Sequence, residues 1–148
     1  MTVGTASTKV KRQEARRLSG KRWFLIGITT GVVAAAVVLI VQFIALGLFP
    51  EAAAFKPLES YSRSAVFTLV PALVATGLFA RLVQSRDNPV GIFLKIAIAV
   101  LLISFVPDYL LRDPNKTFLA SSIAAFLHVI ATFVITTGII FGYKKSIR

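Results

Sequence analysis

The sequence predicts an all-α integral membrane protein: an antiparallel bundle of four transmembrane helices with both termini in the cytoplasm. Three observations lead there. Hydrophobic residues make up 56% of the 148-residue chain, and its mean hydropathy is +0.79, well above that of a soluble domain. The apolar residues gather into four runs, 23–49, 64–83, 90–111 and 118–143. Each is close to the roughly 20 residues that a helix needs to cross a hydrocarbon core of about 30 Å. Finally, the basic residues concentrate on alternate sides of successive runs. Helices are the expected form because a backbone in lipid must satisfy its hydrogen bonds within its own segment.

The elements follow in order. Residues 1–22 form a basic cytoplasmic tail, partly disordered, that ends against an interfacial Trp23. The first run is much longer than the roughly 7–15 apolar residues of a signal peptide, so it reads as a retained span even though Ala52-Ala53-Ala54 resembles a cleavage site. The link Pro50–Arg63 is the longest; Pro50 and Pro57 interrupt any helix through it, and Ala52–Phe55 has room for one short turn. The second run contains Pro71, which removes the bond to the Phe67 carbonyl and predicts a kink. Ser85-Arg86-Asp87-Asn88-Pro89 is a tight turn in which Asn88 caps the third helix and Pro89 takes its first position. Asp113-Pro114-Asn115-Lys116-Thr117 is a second short turn with capping residues. Short links make helices two, three and four antiparallel neighbours, and residues 144–148 form a basic cytoplasmic end.

The net charge of +11 invites a nucleic-acid reading, but the positions of the charges exclude it. Lys9, Lys11, Arg12, Arg16, Arg17, Lys21, Arg22, Arg81, Arg86, Lys95, Lys144, Lys145 and Arg148 all fall on one side of the four-span topology. The other side holds Lys56, Arg63, Arg112 and Lys116 with Glu51, Glu59, Asp108 and Asp113. This is the positive-inside pattern of a multi-pass protein of the cell membrane. The expected partners are membrane lipids, with anionic headgroups drawn to the basic tail, and a larger membrane complex or a homo-oligomer. No nucleic acid is among them.

The chain has no cysteine, which removes disulfides, thiol catalysis and cysteine metal sites. Its one histidine cannot form a multi-histidine centre, and no P-loop or serine elbow is present. No catalytic residue, metal or cofactor is expected. Small residues at four-residue spacing mark close helix contacts: Gly27, Gly31 and Ala35 in the first span, Ala72, Thr76 and Ala80 in the second, Gly138 and Gly142 in the fourth. Packing within the bundle is favoured over a dimer seam.

His128 is the chain's ionisable residue nearest mid-span, about 16 Å below Thr117. Thr76, Ser104 and Gln42 extend it into a candidate polar strip. The bland alternative is a neutral imidazole joining helices through a hydroxyl, and it carries somewhat more weight. Asp108, Arg112 and Arg63 form a candidate site at the outer interface, with Asp108 and Arg112 four residues apart as an ion pair. The helical rise puts Asp108 about 10 Å above His128, so no direct pair between them is expected.

Val70-Pro71-Ala72-Leu73, Leu102-Ile103-Ser104-Phe105-Val106-Pro107-Asp108 and His128-Val129-Ile130-Ala131 resemble a family of small bacterial four-helix membrane proteins of unknown function. The resemblance covers roughly residues 20–143. It implies four spans, a late Ser–x–x–Pro segment and a histidine in the last helix, and it brings no activity. The expected function is therefore a non-enzymatic accessory or scaffolding component of the membrane or of a larger membrane complex. The alternative is a small transporter or channel, proton-linked, using the strip centred on His128. Enzymatic lipid or quinone chemistry would need a second acid or base at the depth of His128, and the sequence offers none there.

Overall fold

The computed structural model describes residues 18–110 and 112–147; most of the basic tail lies outside the described residues. Among the described residues there are four long helices, one 3₁₀ turn and no strand. Helix α1 spans Gly20–Leu48, the 3₁₀ turn Pro50–Ala54, α2 Tyr61–Ser85, α3 Pro89–Leu110 and α4 Phe118–Ser146. Each of the four is long and apolar enough to cross a membrane.

The helices overrun the apolar runs because polar caps set where they start. Ser19 Oγ accepts the Arg22 N–H at 3.4 Å, and Ser60 Oγ the Arg63 N–H at 3.3 Å. Asn88 Oδ1 accepts the Gly91 N–H at 2.9 Å, and Thr117 Oγ1 the Ala120 N–H at 3.0 Å. Each cap satisfies a donor that has no partner inside the helix, an effect worth about 1 kcal/mol. Helix α2 runs through Pro71 without a break.

Glycine positions fix the antiparallel register. A Cβ added at Gly27 would lie 3.0 Å from Thr76 Oγ1, and one at Gly31 3.2 Å from Ala72 Cβ. On the other flank, a Cβ at Gly138 would lie 2.7 Å from Thr30 Cγ2, and one at Gly142 3.0 Å from Ile26 Cγ2. Residue numbers rise on α1 as they fall on α2 and α4, so α1 lies between two antiparallel neighbours. The backbones of α1 and α3 do not approach each other closely, so the four helices close a ring in chain order. Ala80 is buried and Ala35 half-buried. At one end lie the connections 49–60 and 112–117, here the two-link end. The start of α1, the α2–α3 turn and the end of α4 make the other, the terminal end.

The two ends are packed differently. At the terminal end Trp23 stacks on Tyr143 with ring centroids 5.8 Å apart, and Phe79 meets Phe93 at 4.9 Å. This cluster draws on all four helices. The apolar cluster at the two-link end draws on α1, the first connection and α4, with Phe55 and Leu58 almost wholly enclosed. Helix α3 takes no part in it. Only 6% of the most apolar stretch of α3 is buried, against 33%, 39% and 28% for α1, α2 and α4. Its buried residues are Phe93 and Asp108, one near each end.

Hydrogen bonds tie the two connections together. Gln42 Nε2 donates to the Leu58 carbonyl at 2.9 Å, and the Lys56 N–H donates to Asp113 Oδ2 at 3.0 Å. Asp113 Oδ1 accepts the Asn115 N–H at 2.9 Å, while Asn115 Nδ2 donates to the Ala54 carbonyl. The N–H groups of Lys56 and Asn115 hold the Asp113 carboxyl below its ordinary pKa.

Gly31→Val overpacks the α1–α2 seam and costs about 1–3 kcal/mol, read as easier unfolding in detergent. Gly77→Ala, where nothing lies within 4 Å of the added carbon, leaves stability unchanged or raises it by up to about 1 kcal/mol. Because the folded pKa of Asp113 is lowered, its stabilising effect is present above the unfolded value of about 3.9 and is lost as pH falls through the folded value. Thermal scans of Asp113→Ala therefore show a lower midpoint than wild type at pH 7, with the difference shrinking only at strongly acid pH.

Candidate functional site

Helices α2 and α3 meet at the terminal end through Phe79 and Phe93, and toward the two-link end a cavity of about 420 Å³ is lined by α2, α3, α4 and the first connection. Its apolar walls include Val38, Leu58, Phe67, Pro107, Leu127 and Ala131. Lys56, Arg63, Ser64, Thr68, Asp108 and His128 supply the polar groups.

Two of the lining residues meet: His128 Nε2 and Asp108 Oδ2 lie 3.3 Å apart. This corrects the expectation that the two residues are too far apart in depth to meet. The backbone arithmetic itself holds: Ser121 Oγ donates to the Asp108 carbonyl at 2.8 Å, and Ser121 lies two helical turns, about 10 Å, from His128. Side-chain direction closes that gap. Every Cα–Cβ bond tilts toward the N-terminus of its helix. In the antiparallel pair α3 and α4, Asp108 therefore leans toward the terminal end and His128 toward the two-link end. The side chains converge from opposite directions.

The pair is asymmetric. The Asp108 side chain is 3% exposed and that of His128 is 42% exposed. Asp108 Oδ2 makes no hydrogen bond of ordinary geometry, so the imidazole is its near polar neighbour by contact alone. The carboxyl group is enclosed and the imidazole is half-open, so the imidazole is the partner that an incoming molecule can reach.

The other candidate residues are distributed differently from the sequence reading. Arg63 lines the cavity with Asp108, but its guanidinium donates to the Lys56 carbonyl at 2.9 Å and lies 3.9 Å from Glu59. Asp108 turns to His128, and among the described residues it forms no ion pair with Arg112, which is exposed. The polar strip does not form a line. Thr76 Oγ1 donates to the Ala72 carbonyl at 2.7 Å and packs at Gly27. Ser104 Oγ donates to the Leu101 carbonyl, and Gln42 is committed to Leu58. None of the three lines the cavity with His128. Lys56, Ser64 and Thr68 do line it and were missed. Ser64 and Thr68 lie four apart on α2, Thr68 donating to the Ser64 carbonyl at 2.8 Å, and that spacing was the available signal. Among the described residues no group of three or more His, Cys, Asp or Glu is placed to hold a metal.

The comparisons bear on the whole span of this architecture. A family described as "Family of unknown function (DUF6069)" matches residues 13–140. The chain belongs to this family. Its reach takes in all four helices up to Ile140, with both Asp108 and His128. No curated protein and no solved structure matches the chain.

The pair makes a measurable prediction. His128→Ala leaves the Asp108 carboxyl enclosed without its neighbour and destabilises the fold by about 1–3 kcal/mol. Adding Asp108→Asn restores part of that loss. Equal, additive losses in the double-mutant cycle, measured by unfolding in detergent, would show that the two side chains do not interact.

Proposed function

We propose that this family member is a non-enzymatic accessory component of the cytoplasmic membrane, and that a partner membrane protein covers the cleft at His128. The membrane reading is supported by the outward face of the helices. Phe43, Phe67, Phe118 and Phe133 are each about 70% exposed or more among many other outward apolar side chains. A water-soluble surface tolerates apolar patches of only a few hundred Å². Charge supports the orientation. Lys21, Arg22, Arg81, Arg86, Lys144 and Lys145 gather at the terminal end, which by the positive-inside rule supports that end as the cytoplasmic one.

One observation carries the partner reading: the 42% exposure of the His128 side chain. His128 lies about 16 Å along α4 from Thr117, close to half of a hydrocarbon core about 30 Å thick. An ionisable side chain facing lipid at that depth is costly, so such groups face protein or water. A partner segment laid between α2 and α3 would cover the imidazole and Phe67 together.

The second reading, a proton-linked transporter, draws on the same Asp108–His128 contact. Against it, Thr76, Ser104 and Gln42 each donate to a backbone carbonyl, and the aromatic cluster fills the terminal end below the cavity.

The test is recovery of the tagged chain from native membranes in mild detergent, with a photo-reactive phenylalanine analogue at position 67. The expected result is a stoichiometric partner crosslinked at 67 and recovered at least tenfold less with His128→Ala. A chain recovered alone, crosslinked only to lipid, overturns the partner reading. A pH-driven flux in proteoliposomes that His128→Ala abolishes would then establish the transporter.

A further inference from the structure

A second cavity, of about 700 Å³, lies at the terminal end along the α1–α4 seam, away from the His128 cleft. Arg22 and Lys145 stand at its mouth with Ser146; Leu25, Val33, Val134 and Phe141 form its walls. The helix register explains the grouping. With Ile26 against Gly142 and Thr30 against Gly138, Arg22 falls level with Ser146, one residue from Lys145. The two glycines bring the backbones together and leave the floor of the groove shallow and smooth. Thr29, on the exposed face of α1, adds a hydroxyl to the lining.

Charge and length together identify an occupant. Among the described residues no acid pairs with Arg22 or Lys145, and both side chains are exposed. From Arg22 to Val33 the groove runs about 16 Å, roughly one leaflet of a core about 30 Å thick. Its mouth is cationic and its length apolar. The sequence before Leu18 carries Lys9, Lys11, Arg12, Arg16 and Arg17 against Glu14, so its charge matches that of the mouth instead of complementing it.

We infer that the α1–α4 groove is a binding site for one anionic glycerophospholipid of the cytoplasmic leaflet. Arg22 and Lys145 hold the phosphate-bearing headgroup, and an acyl chain lies along Leu25, Val33 and Val134. This inference rests on the membrane reading above but not on the partner at His128. It differs from a general attraction of the basic tail to the surface, because two bases and a shaped wall define a single site.

The experiment uses the full chain, purified in detergent and freed of lipid, then titrated with dioleoyl phosphatidylglycerol or dioleoyl phosphatidylcholine and read by native mass spectrometry. One phosphatidylglycerol per chain is retained in preference to phosphatidylcholine. Arg22→Gln with Lys145→Gln weakens that retention about 25-fold, each base contributing about fivefold. Thr29→Phe fills the groove without changing charge and also loses the lipid, while Arg81→Gln with Arg86→Gln retains it. Unchanged retention in the Arg22–Lys145 variant, or an equal loss in the Arg81–Arg86 variant, overturns the site. So does equal competition by glycerol phosphate, which has no acyl chain. A chain that fractionates without detergent as a soluble protein would instead overturn the membrane reading itself.

Discussion

The enclosed Asp108 side chain and the α4 groups set against it bear most on where α3 sits. The helix buries little else: Phe93 near its start and Asp108 near its end are its enclosed residues. Apolar packing secures the first. The second is secured by the Ser121 hydroxyl on its backbone carbonyl and by His128 beside its carboxylate, both from α4. The late part of α3 is thus held to α4. The cleft lies beside that contact, lined by α2, α3, α4 and the first connection.

That constraint gives the molecule two unlike halves. At the terminal end four helices share one aromatic cluster, and each ring leans on a ring from another helix. Such interlocked packing has few alternative arrangements. At the two-link end α1 and α4 pack directly, while the connections are held by hydrogen bonds to Gln42, Asp113 and Asn115. These bonds seat the first connection, which supplies Lys56, Pro57 and Leu58 to the cavity wall. The cleft is therefore framed by polar contacts above and closed by an apolar plug below.

Much of this was legible in the residues. Four helices and their order follow from the apolar runs. Asn88 and the 113–117 turn marked where α3 and α4 start, because a cap is a local event among residues three apart. Helices α1 and α2 start before their runs, at caps from Ser19 and Ser60 that the runs did not mark. Gly27 and Gly31 signalled a close seam because small residues let two helix backbones approach closely. The pair at the centre of the site was not legible. Depth along a helix axis locates a backbone, whereas Asp108 and His128 meet through the opposed tilt of side chains on antiparallel helices. The polar strip failed for a related reason. Thr76 and Ser104 each donate to a carbonyl of their own helix and Gln42 donates to that of Leu58 in the first connection, which periodicity does not reveal.

The outer surface bears on how a partner would engage this chain. Along α3 the exposed side chains include Leu94, Ile98, Leu102, Ile103 and Val106, none of which offers a hydrogen bond. In lipid, apolar surface gives no net drive for association, since acyl chains solvate it as well as another helix would. Recognition must then come from shape and from polar groups that lipid cannot satisfy. His128 is such a group, set in a recess and backed by a carboxylate that is itself almost fully enclosed. A helix from another protein gains most by placing a hydrogen-bonding side chain there and least by lying along the open face of α3. The chemistry that makes Asp108 and His128 awkward in a lone chain is what would give the cleft its selectivity in a complex.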